Sequence, residues 1–321
     1  MKLALVTGAN GFIGSHLVRR LKEEDYWVRG VDIRDPRFGP SLTDEDFRGD
    51  LRDYGVCQKA VVGMPEIYHL AADMGGIGYV GQPGKDSSIG INNTLINVNM
   101  LRAASLSGAV RNFFFSSAAS VYPTTLQAVG VVRRLRETDV YPALSDGMYG
   151  WEKLHMEHLC QAVARVSGLS VSIARLHLIY GPFGAFRSER EQAVTAICRK
   201  VAEARDGTTI EVWGNGQQMR SFLYVDDCVE GIRRLVQSDV REPINIGSEE
   251  PVTLLDLARL VIEISGKKLD IILRPEAPQG VWCKCSDNTR VKEILGWEPQ
   301  VNLRDGLTKT YRWVDQQVRG A

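Results

Sequence analysis

The stretch Leu3-Ala4-Leu5-Val6-Thr7-Gly8-Ala9-Asn10-Gly11-Phe12-Ile13-Gly14 decides the fold predicted for this chain. A short apolar run is typical of a buried parallel strand, and helical spacing follows the glycines over 15–21. Gly8 suits a tight turn, Gly11 lets the backbone approach a pyrophosphate, and Gly14 lets the helix pack on the strand. The helix N-terminus then presents free N–H groups to the phosphates. This order of strand, glycine turn and helix predicts a dinucleotide-binding unit.

An acidic residue at the end of the second predicted strand indicates which dinucleotide is bound. Asp32 follows the run 27–31 and is placed to bond both hydroxyls of the adenosine ribose. The same carboxylate repels a 2′-phosphate, so NAD is favoured over NADP, although Arg34 and Arg37 weaken this preference slightly. Asp50-Leu51 is a candidate for contact with the adenine, and a solvated turn explains the acid equally well.

Strands and helices alternate through the chain. In the first half, strands are predicted over 66–72, 111–115 and 169–176, helices over 91–106 and 149–166, and a loop over 124–146. In the second half, helices are predicted over 191–204, 226–236, 254–265 and 303–318, and short strands over 210–213, 243–246 and 269–273. The pattern predicts an α/β fold with a Rossmann-type doubly wound parallel sheet over 1–178, to which some later segments return. A smaller mixed α/β lobe is predicted over 179–321.

The bulk properties exclude several classes of function. The chain has 321 residues, of which 44% are apolar and 24% charged, and its formal net charge is zero. Without a net electrostatic field, nucleic acid and anionic membrane are not expected as partners. No apolar run reaches transmembrane length and the N-terminus lacks a secretory pattern, so a cytoplasmic protein is the default expectation.

The cysteines and histidines do not predict a metal site. The six cysteines are scattered, and the one close pair, Cys283 and Cys285, has no second pair of ligands. His155 and His158 lie three apart without the Glu-x-x-His frame of a metal-binding helix. No metal is therefore expected.

A tyrosine and a lysine four residues apart are the candidate catalytic pair. Tyr149 and Lys153 open an apolar, helix-periodic run, so both side chains would lie on one face of a helix. An ammonium near a phenol lowers the pKa of the phenol, which then takes a proton from an alcohol or returns one to a ketone. Taken alone, the pattern also fits an unrelated pair at the start of a surface helix. The rest of the chain favours catalysis.

Hydroxyls and glycines after two other strands are candidates for the substrate site. Ser117 and Ser120 follow the predicted strand 111–115, at the edge of a parallel sheet where such folds bind ligands. The glycine-rich segment 73–79 indicates backbone close to a ligand, with a mobile surface loop as the alternative.

Four cations are candidates for holding a diphosphate, namely Arg199, Lys200, Arg220 and Lys284. The fork of an arginine meets phosphate oxygens two at a time. A solvated surface position is the alternative, and it is the better explanation for Arg199 than for Arg220.

Together these motifs resemble those of the extended short-chain dehydrogenases/reductases, in the nucleotide-sugar epimerase/dehydratase group, over nearly the full chain. The resemblance rests on Thr7–Gly14, Asp32, Asp50-Leu51, His69–Ala72, Tyr149–Lys153, Tyr180-Gly181-Pro182, Gly214–Asp227 and Asn245-Ile246-Gly247. Within this group the chain is most similar to the GDP-mannose 3,5-epimerases, through Ala71–Gly78, Asn92-Asn93-Thr94, Ile179–Gly184, Cys198-Arg199-Lys200 and Arg241–Ser248.

The resemblance implies a reaction and a set of binding residues. It implies tightly held NAD, a GDP-sugar between two lobes, and a tyrosine-assisted oxidation to a ketone that the same nicotinamide reverses. It also implies a homodimer formed through helices that include 91–106 and 149–166. The expected NAD contacts are Gly8, Asn10, Gly11, Phe12, Ile13, Gly14, Asp32, Asp50, Leu51, Leu70, Ala71, Ala72, Tyr149 and Lys153. The expected substrate contacts are Met74, Gly75, Gly76, Gln192, Arg199, Lys200, Arg220 and Lys284.

Four positions depart from the pattern of the 3,5-epimerases. Their acid–base pair, a cysteine and a lysine, is replaced here by Ser120 and Gln192. A serine hydroxyl is a far weaker acid than a thiol, and glutamine has no titratable proton. The usual catalytic serine is Ala118, so Ser117 or Ser120 is expected to provide the hydroxyl. Leu178 replaces an asparagine that faces the sugar diphosphate, which indicates a reshaped pocket.

The sequence therefore favours a GDP-sugar epimerase that inverts one carbinol carbon by oxidation and re-reduction. Tyr149 is the expected base and then acid, Lys153 lowers its pKa and holds the nicotinamide ribose, and Ser120 bonds the reacting oxygen. The carbon is C4 of the ring or a side-chain carbinol of a larger sugar. The alternatives are GDP-mannose 3,5-epimerase, a dehydrogenase that releases NADH, and a non-catalytic NAD-binding regulator. Dehydration is disfavoured because Ala119-Ser120 stands where Asp-Glu is expected.

Overall fold

The computed structural model describes residues 1–320, which form fifteen strands and ten α-helices. The strands are β1 (Lys2–Thr7), β2 (Tyr26–Asp32), β3 (Glu45–Arg48), β4 (Glu66–His69), β5 (Asn112–Ala118), β6 (Arg134–Leu135), β7 (Ser170–Leu176), β8 (Ile179–Tyr180), β9 (Thr209–Trp213), β10 (Met219–Ser221), β11 (Leu223–Tyr224), β12 (Ile244–Ile246), β13 (Pro251–Thr253), β14 (Asp270–Arg274) and β15 (Cys283–Ser286). The helices are α1 (Phe12–Glu23), α2 (Tyr54–Ala60), α3 (Ile77–Val80), α4 (Lys85–Leu106), α5 (Gly147–Ser167), α6 (Ala193–Glu203), α7 (Val225–Val236), α8 (Leu254–Ser265), α9 (Thr289–Leu295) and α10 (Leu303–Arg319). Short 3-10 turns cover Ala119–Val121, Thr124–Gln127 and Glu137–Val140.

The main sheet has seven parallel strands in the order β12-β7-β5-β4-β1-β2-β3. Successive residues of β1 enter different cores: Ala4 and Val6 pack with α1 and α7, whereas Leu5 packs with α2, α4 and α5. Both faces are therefore covered by helices, which explains why the strands are continuous apolar runs. The predicted Rossmann-type parallel sheet is confirmed.

A second sheet lies across the cleft and is built from both halves of the chain. Its order is β13-β10-β15-β6, and β6 comes from the segment predicted as a loop. Conversely, β12 returns from the second half to pair with β7 of the main sheet. The pairing of β10 with β15 puts Arg220 in register with Lys284, which places two cations side by side. Two smaller sheets pair β14 with β9 and β11 with β8.

The structure corrects several of the predicted bounds. The strand predicted over 111–115 continues to Ala118, so Ser117 lies in it and does not follow it. Three further corrections have a physical reason. The strand predicted over 66–72 ends at His69, because Leu70 and Ala71 turn to donate their N–H groups to Thr7 Oγ1 at 3.1 and 3.2 Å. The helix predicted from 91 begins six residues earlier, after Gly84, whose φ of 78° lies in the left-handed region. The loop 124–146 contains β6, whose pairing partner lies far along the chain.

The charged residues at the two ends of α7 complement the dipole of the helix. Acidic Asp226 and Asp227 occupy its first turn and basic Arg233 and Arg234 its last. Within residues 1–320, no helix combines the length and the apolar character needed to cross a bilayer.

Candidate active site

A cleft of about 1210 Å³ runs along the carboxyl ends of β1, β2, β4, β5 and β7 and reaches the second sheet. Of the expected NAD contacts, all except the buried Lys153 line it: Gly8, Asn10, Gly11, Phe12, Ile13, Gly14, Asp32, Asp50, Leu51, Leu70, Ala71, Ala72 and Tyr149. The expected substrate contacts Met74, Gly75, Gly76, Gln192, Arg199, Lys200, Arg220 and Lys284 also line it. The fold thus brings both predicted sets to one place.

The glycine loop leaves no space for larger residues. Gly8 has a φ of 69°, a conformation that favours glycine. A Cβ on Gly14 would lie 2.0 Å from the Gly8 carbonyl oxygen, and one on Gly11 would lie 3.0 Å from the same atom. Helix and strand therefore approach so closely here that the loop presents backbone to the cleft.

The start of α1 fits the pyrophosphate of a dinucleotide, and the end of β2 fits its adenosine ribose. Gly11 caps α1 without a side-chain acceptor, so the first N–H groups are free for phosphate. Asp32 Oδ2 accepts from the Asn10 N–H at 3.1 Å and Oδ1 from the Arg34 N–H at 2.9 Å, which fixes the carboxylate at the cleft. The residues present therefore fit NAD. Asp50 is also held, by an ion pair with Arg52 at 2.6 Å.

Tyr149 and Lys153 lie on the cleft side of α5. Lys153 is 1% exposed, and its Nζ lies 5.7 Å from the centroid of the Tyr149 ring and 4.7 Å from that of Phe115. Gly150 lets the helix dock close to β5, because a Cβ there would lie 2.2 Å from the Ser120 carbonyl oxygen. The spacing of the pair therefore produces the shared face that the sequence predicted.

The pKa of Tyr149 shifts in the direction opposite to the one expected. Burial raises the pKa of the Tyr149 hydroxyl, and the Glu152 carboxylate raises it further. Burial lowers the pKa of Lys153, against the opposing effect of Glu152. The ammonium alone would lower the pKa, but a phenolate at this half-buried position also loses part of its hydration, and that cost is the larger effect. With its pKa raised, the Tyr149 hydroxyl is protonated at neutral pH.

A buried polar chain that the sequence argument missed leads to Glu152. Burial lowers the pKa of His69 to about 3, so its ring is neutral. Its Nε2–H then donates to Asn97 Oδ1 at 2.8 Å, and its Nδ1 accepts from Thr7 Oγ1 at 2.8 Å. Asn97 Nδ2 donates to Glu152 Oε1 at 2.5 Å, while Oε2 has no partner within residues 1–320. An acid inside an apolar helical run was the only signal in the sequence.

The two candidate serines have different environments. Ser117 is 2% exposed and its hydroxyl donates to Glu157 Oε1 at 2.5 Å. Glu157 is in turn paired with Arg175 at 2.8 Å, and both are buried. Ser120 is half-buried and lines the cleft. Of the two, Ser120 therefore has the hydroxyl available to a ligand.

The candidate phosphate-holding cations are each bonded within the protein. Arg199 is paired with Glu191 at 2.7 Å and Glu203 at 2.8 Å, so its charge is already neutralised. Lys200 donates to the Glu211 carbonyl at 2.8 Å. Arg220 donates to the carbonyls of Met219, Val281 and Trp282. Because carbonyls leave the positive charge uncompensated, Lys200 and Arg220 are better placed to attract a diphosphate than Arg199.

Lys284 lies beside Ser120 as well as in register with Arg220. Its Nζ is 3.0 Å from Asp146 Oδ2 and 3.5 Å from Ser120 Oγ. Burial lowers the pKa of Lys284, against the opposing effect of Asp146. The sequence argument missed this cluster because its members come from three distant segments.

The glycine-rich segment after β4 is held by an arginine that the sequence argument also missed. Arg190 Nη2 lies 2.8 Å from Asp73 Oδ1, and its Nη1 donates to the Met74 carbonyl at 2.7 Å. A Cβ on Gly76 would lie 1.9 Å from the Glu191 carbonyl oxygen. The glycine thus allows this segment to contact the chain just before α6, on the wall of the cleft.

All four departing positions, Ala118, Ser120, Leu178 and Gln192, line the cleft, and two of them have a notable backbone setting. Leu178 has a φ of 44°, in the left-handed region where a leucine is strained. Gln192 precedes α6 as its N-cap and makes no side-chain capping bond. Neither residue provides a titratable group to the cleft.

Sheet order, glycine loop and the Tyr149/Lys153 pair define a dinucleotide-dependent enzyme of the short-chain dehydrogenase/reductase class. A family model described as "NAD dependent epimerase/dehydratase family" matches residues 4–247, and the chain belongs to that family. The predicted membership of the nucleotide-sugar epimerase/dehydratase group and the use of NAD are confirmed.

Curated relatives match along nearly the whole chain. The chain is 42% identical over 315 residues to GDP-mannose 3,5-epimerase of Arabidopsis thaliana, covering 98% of this chain and 82% of the relative. It is 42% identical over 318 residues to GDP-mannose 3,5-epimerase 1 of Oryza sativa subsp. japonica, with coverages of 98% and 82%. UDP-glucuronic acid decarboxylase 2 of Arabidopsis thaliana is 32% identical over 323 residues, with coverages of 98% and 69%.

Solved structures share the fold. UDP-glucose 4-epimerase of Thermotoga maritima, with UDP-glucose, has a TM-score of 0.86 and 25% identity, covering 98% of this chain and 99% of that one. UDP-glucuronic acid 4-epimerase of Bacillus cereus, in complex with UDP-glucuronic acid and NAD, has a TM-score of 0.81 and 26% identity with the same coverages.

Proposed function

We propose that this chain is an NAD-dependent epimerase of a GDP-sugar that inverts one carbinol carbon by transient oxidation to a ketone. The observation that carries the proposal is that Tyr149 lines the same cleft as the glycine loop, with the buried Lys153 ammonium 5.7 Å from the centroid of its ring. The sugar nucleotide lies, in this proposal, between the NAD-binding part, 1–178, and the lobe 179–321.

Tyr149 carries the proton in both directions. In oxidation its phenolate takes the proton of the carbinol hydroxyl, and in re-reduction its hydroxyl returns that proton to the ketone oxygen. The Lys153 ammonium stabilises the phenolate, since an opposite charge nearby favours the ionised form. When bound, NAD supplies the hydride acceptor and donor. Ser120 donates a hydrogen bond to the reacting oxygen.

The geometry around Ser120 favours inversion at the oxidised carbon itself. Inversion at a neighbouring carbon by proton exchange needs two proton-transfer groups on opposite faces of that carbon. Lys284 Nζ and Ser120 Oγ are 3.5 Å apart, which leaves no room for a carbon between them. Gln192 has no titratable proton. The inverted carbon is therefore C4 of the ring or a side-chain carbinol.

The choice of GDP rests on the identity with the two plant GDP-mannose 3,5-epimerases. It is tested by thermal unfolding, because a ligand that binds the folded state raises the midpoint. GDP-mannose is expected to raise the midpoint more than UDP-glucose at equal concentration. A larger effect of UDP-glucose would overturn the assignment of the nucleotide.

The second candidate function is GDP-mannose 3,5-epimerisation, which the 42% identity over 98% of the chain favours. Turnover of GDP-mannose in deuterium oxide separates the two candidates. Inversion at the oxidised carbon predicts a product without solvent deuterium on carbon, whereas proton exchange predicts deuterium at C3 or C5. Accumulation of ketosugar with an equal amount of released NADH would instead show a net dehydrogenase.

We also infer a homodimer through α4 and α5. Ile91 and Leu95 of α4 and Trp151 and Val166 of α5 are exposed apolar residues. Exposed apolar surface on two neighbouring helices is typical of an interface between copies. Sedimentation is expected to show a dimer that an Ile91→Glu change converts to monomer, and a monomeric wild type would contradict the inference.

A further inference from the structure

An ammonium group lies beside the hydroxyl that faces the substrate. Lys284, in the middle of β15, is 8% exposed. Its Nζ donates to Asp146 Oδ2 at 3.0 Å and to Ser120 Oγ at 3.5 Å, and within residues 1–320 these are its side-chain hydrogen bonds. One of its three N–H groups remains for a ligand or solvent.

The three residues of this cluster are fixed relative to Tyr149. The Asp146 N–H donates to the Ser120 carbonyl at 2.9 Å. Gly150, next to Tyr149, packs so closely on that carbonyl that a Cβ would lie 2.2 Å from its oxygen. The Ser120 backbone and the first turn of α5 therefore move together, while β15 brings Lys284 from the second sheet.

We propose that Lys284 is a positioning residue for the reaction: it donates to Ser120 Oγ and so directs the Ser120 proton toward the reacting oxygen. An ammonium is a donor only, so Ser120 Oγ must accept from it. The Ser120 proton then cannot point at Lys284 and is left to point into the cleft. This inference rests on the proposed function, because it assigns a role within the transient oxidation.

The arrangement stabilises the charge that the reaction creates. Negative charge develops on the reacting oxygen as the ketone is reduced, and a donor fixed beforehand in a dry site stabilises it strongly. A cation behind the serine makes the hydroxyl a stronger donor, since hydrogen bonds in a chain polarise one another. Lys284 neither gains nor loses a proton, so Tyr149 remains the only group that transfers one.

The same contacts argue against a role for Lys284 in holding the diphosphate. Its charge is compensated by Asp146, whereas Arg220, in register with it on β10, is held by carbonyl oxygens alone. The uncompensated cation is the better partner for phosphate oxygens. The sequence placed the two residues in one group, and the structure gives them different surroundings.

A double-mutant cycle tests the proposal with GDP-mannose as substrate and GDP as a binding probe. Lys284→Met is expected to lower kcat about tenfold to a hundredfold, as for one charged hydrogen bond, with KM and GDP affinity within about twofold. In the Ser120→Ala background, Lys284→Met is expected to lower kcat by less than about twofold, because coupled residues are not additive. Lys284→Arg is expected to restore part of kcat.

The outcomes that overturn the proposal are distinct. A loss of GDP affinity with unchanged kcat would make Lys284 a phosphate-holding residue. Full additivity with Ser120→Ala would show that it acts without the serine. Lys267→Met is the matched control, because that half-buried ammonium donates to three backbone carbonyls. It is expected to lower the free energy of unfolding and leave kcat unchanged.

Failure of the proposed function gives a different result. Wild type that binds GDP but does not epimerise GDP-mannose would contradict the substrate assignment. GDP affinity can be measured without turnover. If Lys284→Met bound GDP more weakly than wild type, Lys284 would contact the phosphates, and the proposal would be overturned even then.

Discussion

Lys153 holds its ammonium 5.7 Å from the centroid of the Tyr149 ring, on the face of α5 that meets the cleft. The ammonium is 99% removed from solvent, since the residue is 1% exposed, so its field acts through a dry environment. Burial nevertheless dominates, and the pKa of Tyr149 is raised. The Tyr149 hydroxyl is therefore protonated and able to donate. The Lys153 ammonium stabilises the phenolate once it forms.

Tyr149→Phe is expected to remove the proton-transfer step. General acid–base groups contribute about 10²–10⁴-fold, so kcat is expected to fall by that factor. NAD and GDP affinity are expected to stay within a few fold, because the ring keeps its packing. Steady-state kinetics and calorimetry measure both. Unchanged kcat would show that Tyr149 does not transfer the proton, whereas a wild type without turnover would favour a non-catalytic NAD-binding protein.

Glu152→Gln is expected to move the pH dependence toward lower pH. The Glu152 carboxylate raises the pKa of both Tyr149 and Lys153, so its neutralisation lowers both values. Because oxidation needs ionised Tyr149 and protonated Lys153, both limbs of the kcat/KM profile are expected to shift downward in pH. The exposed Glu23 provides the control, as Glu23→Gln. A shift upward, or none, would contradict the assignment.

Alanine at Ser120 is expected to lower kcat, whereas alanine at Ser117 is expected to lower the free energy of unfolding. Ser120→Ala removes the donor at the reacting oxygen, and loss of one such donor costs about 10²–10³ in kcat. Ser117→Ala instead removes the bond to Glu157, which costs about 1.5–3 kcal/mol of unfolding free energy for a charged partner. Kinetics and urea unfolding distinguish the two. The reverse pattern would place the catalytic hydroxyl on Ser117.

Gly14→Ala is expected to impair NAD binding. Its Cβ would lie 2.0 Å from the Gly8 carbonyl oxygen, so the loop must shift, and NAD affinity is expected to fall about tenfold or more. Gly55→Ala, on α2 and outside the cleft, is the control, since its Cβ would meet only the Asp53 carboxylate, at 3.3 Å. Equal NAD affinities, measured by calorimetry, would show that the loop does not hold the pyrophosphate.

Leu178→Asn is expected to be more stable than Leu178→Ala. Both variants lose the apolar contacts that Leu178 makes with the core. Leu178 is held at a φ of 44°, and asparagine adopts the left-handed region more readily than alanine, which favours Leu178→Asn over Leu178→Ala by about 1 kcal/mol. Urea unfolding measures the difference, and equal free energies of unfolding would refute the strain.

The local parts of the site were predictable from the sequence. The turn at Gly8, the helix packing at Gly14 and the common face of Tyr149 and Lys153 each depend on residues within a few positions of one another. The position of Asp32 was also predictable, because a residue that ends the second parallel strand lies at the carboxyl edge of the sheet. These requirements are satisfied by chain geometry alone.

The parts that depend on distant segments were not predictable. The cluster of Ser120, Asp146 and Lys284 forms only when β15 joins a sheet that crosses the cleft. The two-residue strand β6 forms because it pairs with β15, which comes from a distant part of the chain. The direction of the Tyr149 pKa shift was also hidden, because desolvation depends on everything packed around the phenol.

The most direct test of transient oxidation follows deuterium placed on C4 of GDP-mannose during turnover in ordinary water. With C4 as the oxidised carbon, the account predicts a product that is inverted at C4 and retains the deuterium there, because the hydride taken from that carbon is returned to its other face. It also predicts that Tyr149→Phe forms almost none of this product. Loss of the deuterium to water, or an undiminished rate with Tyr149→Phe, would contradict it.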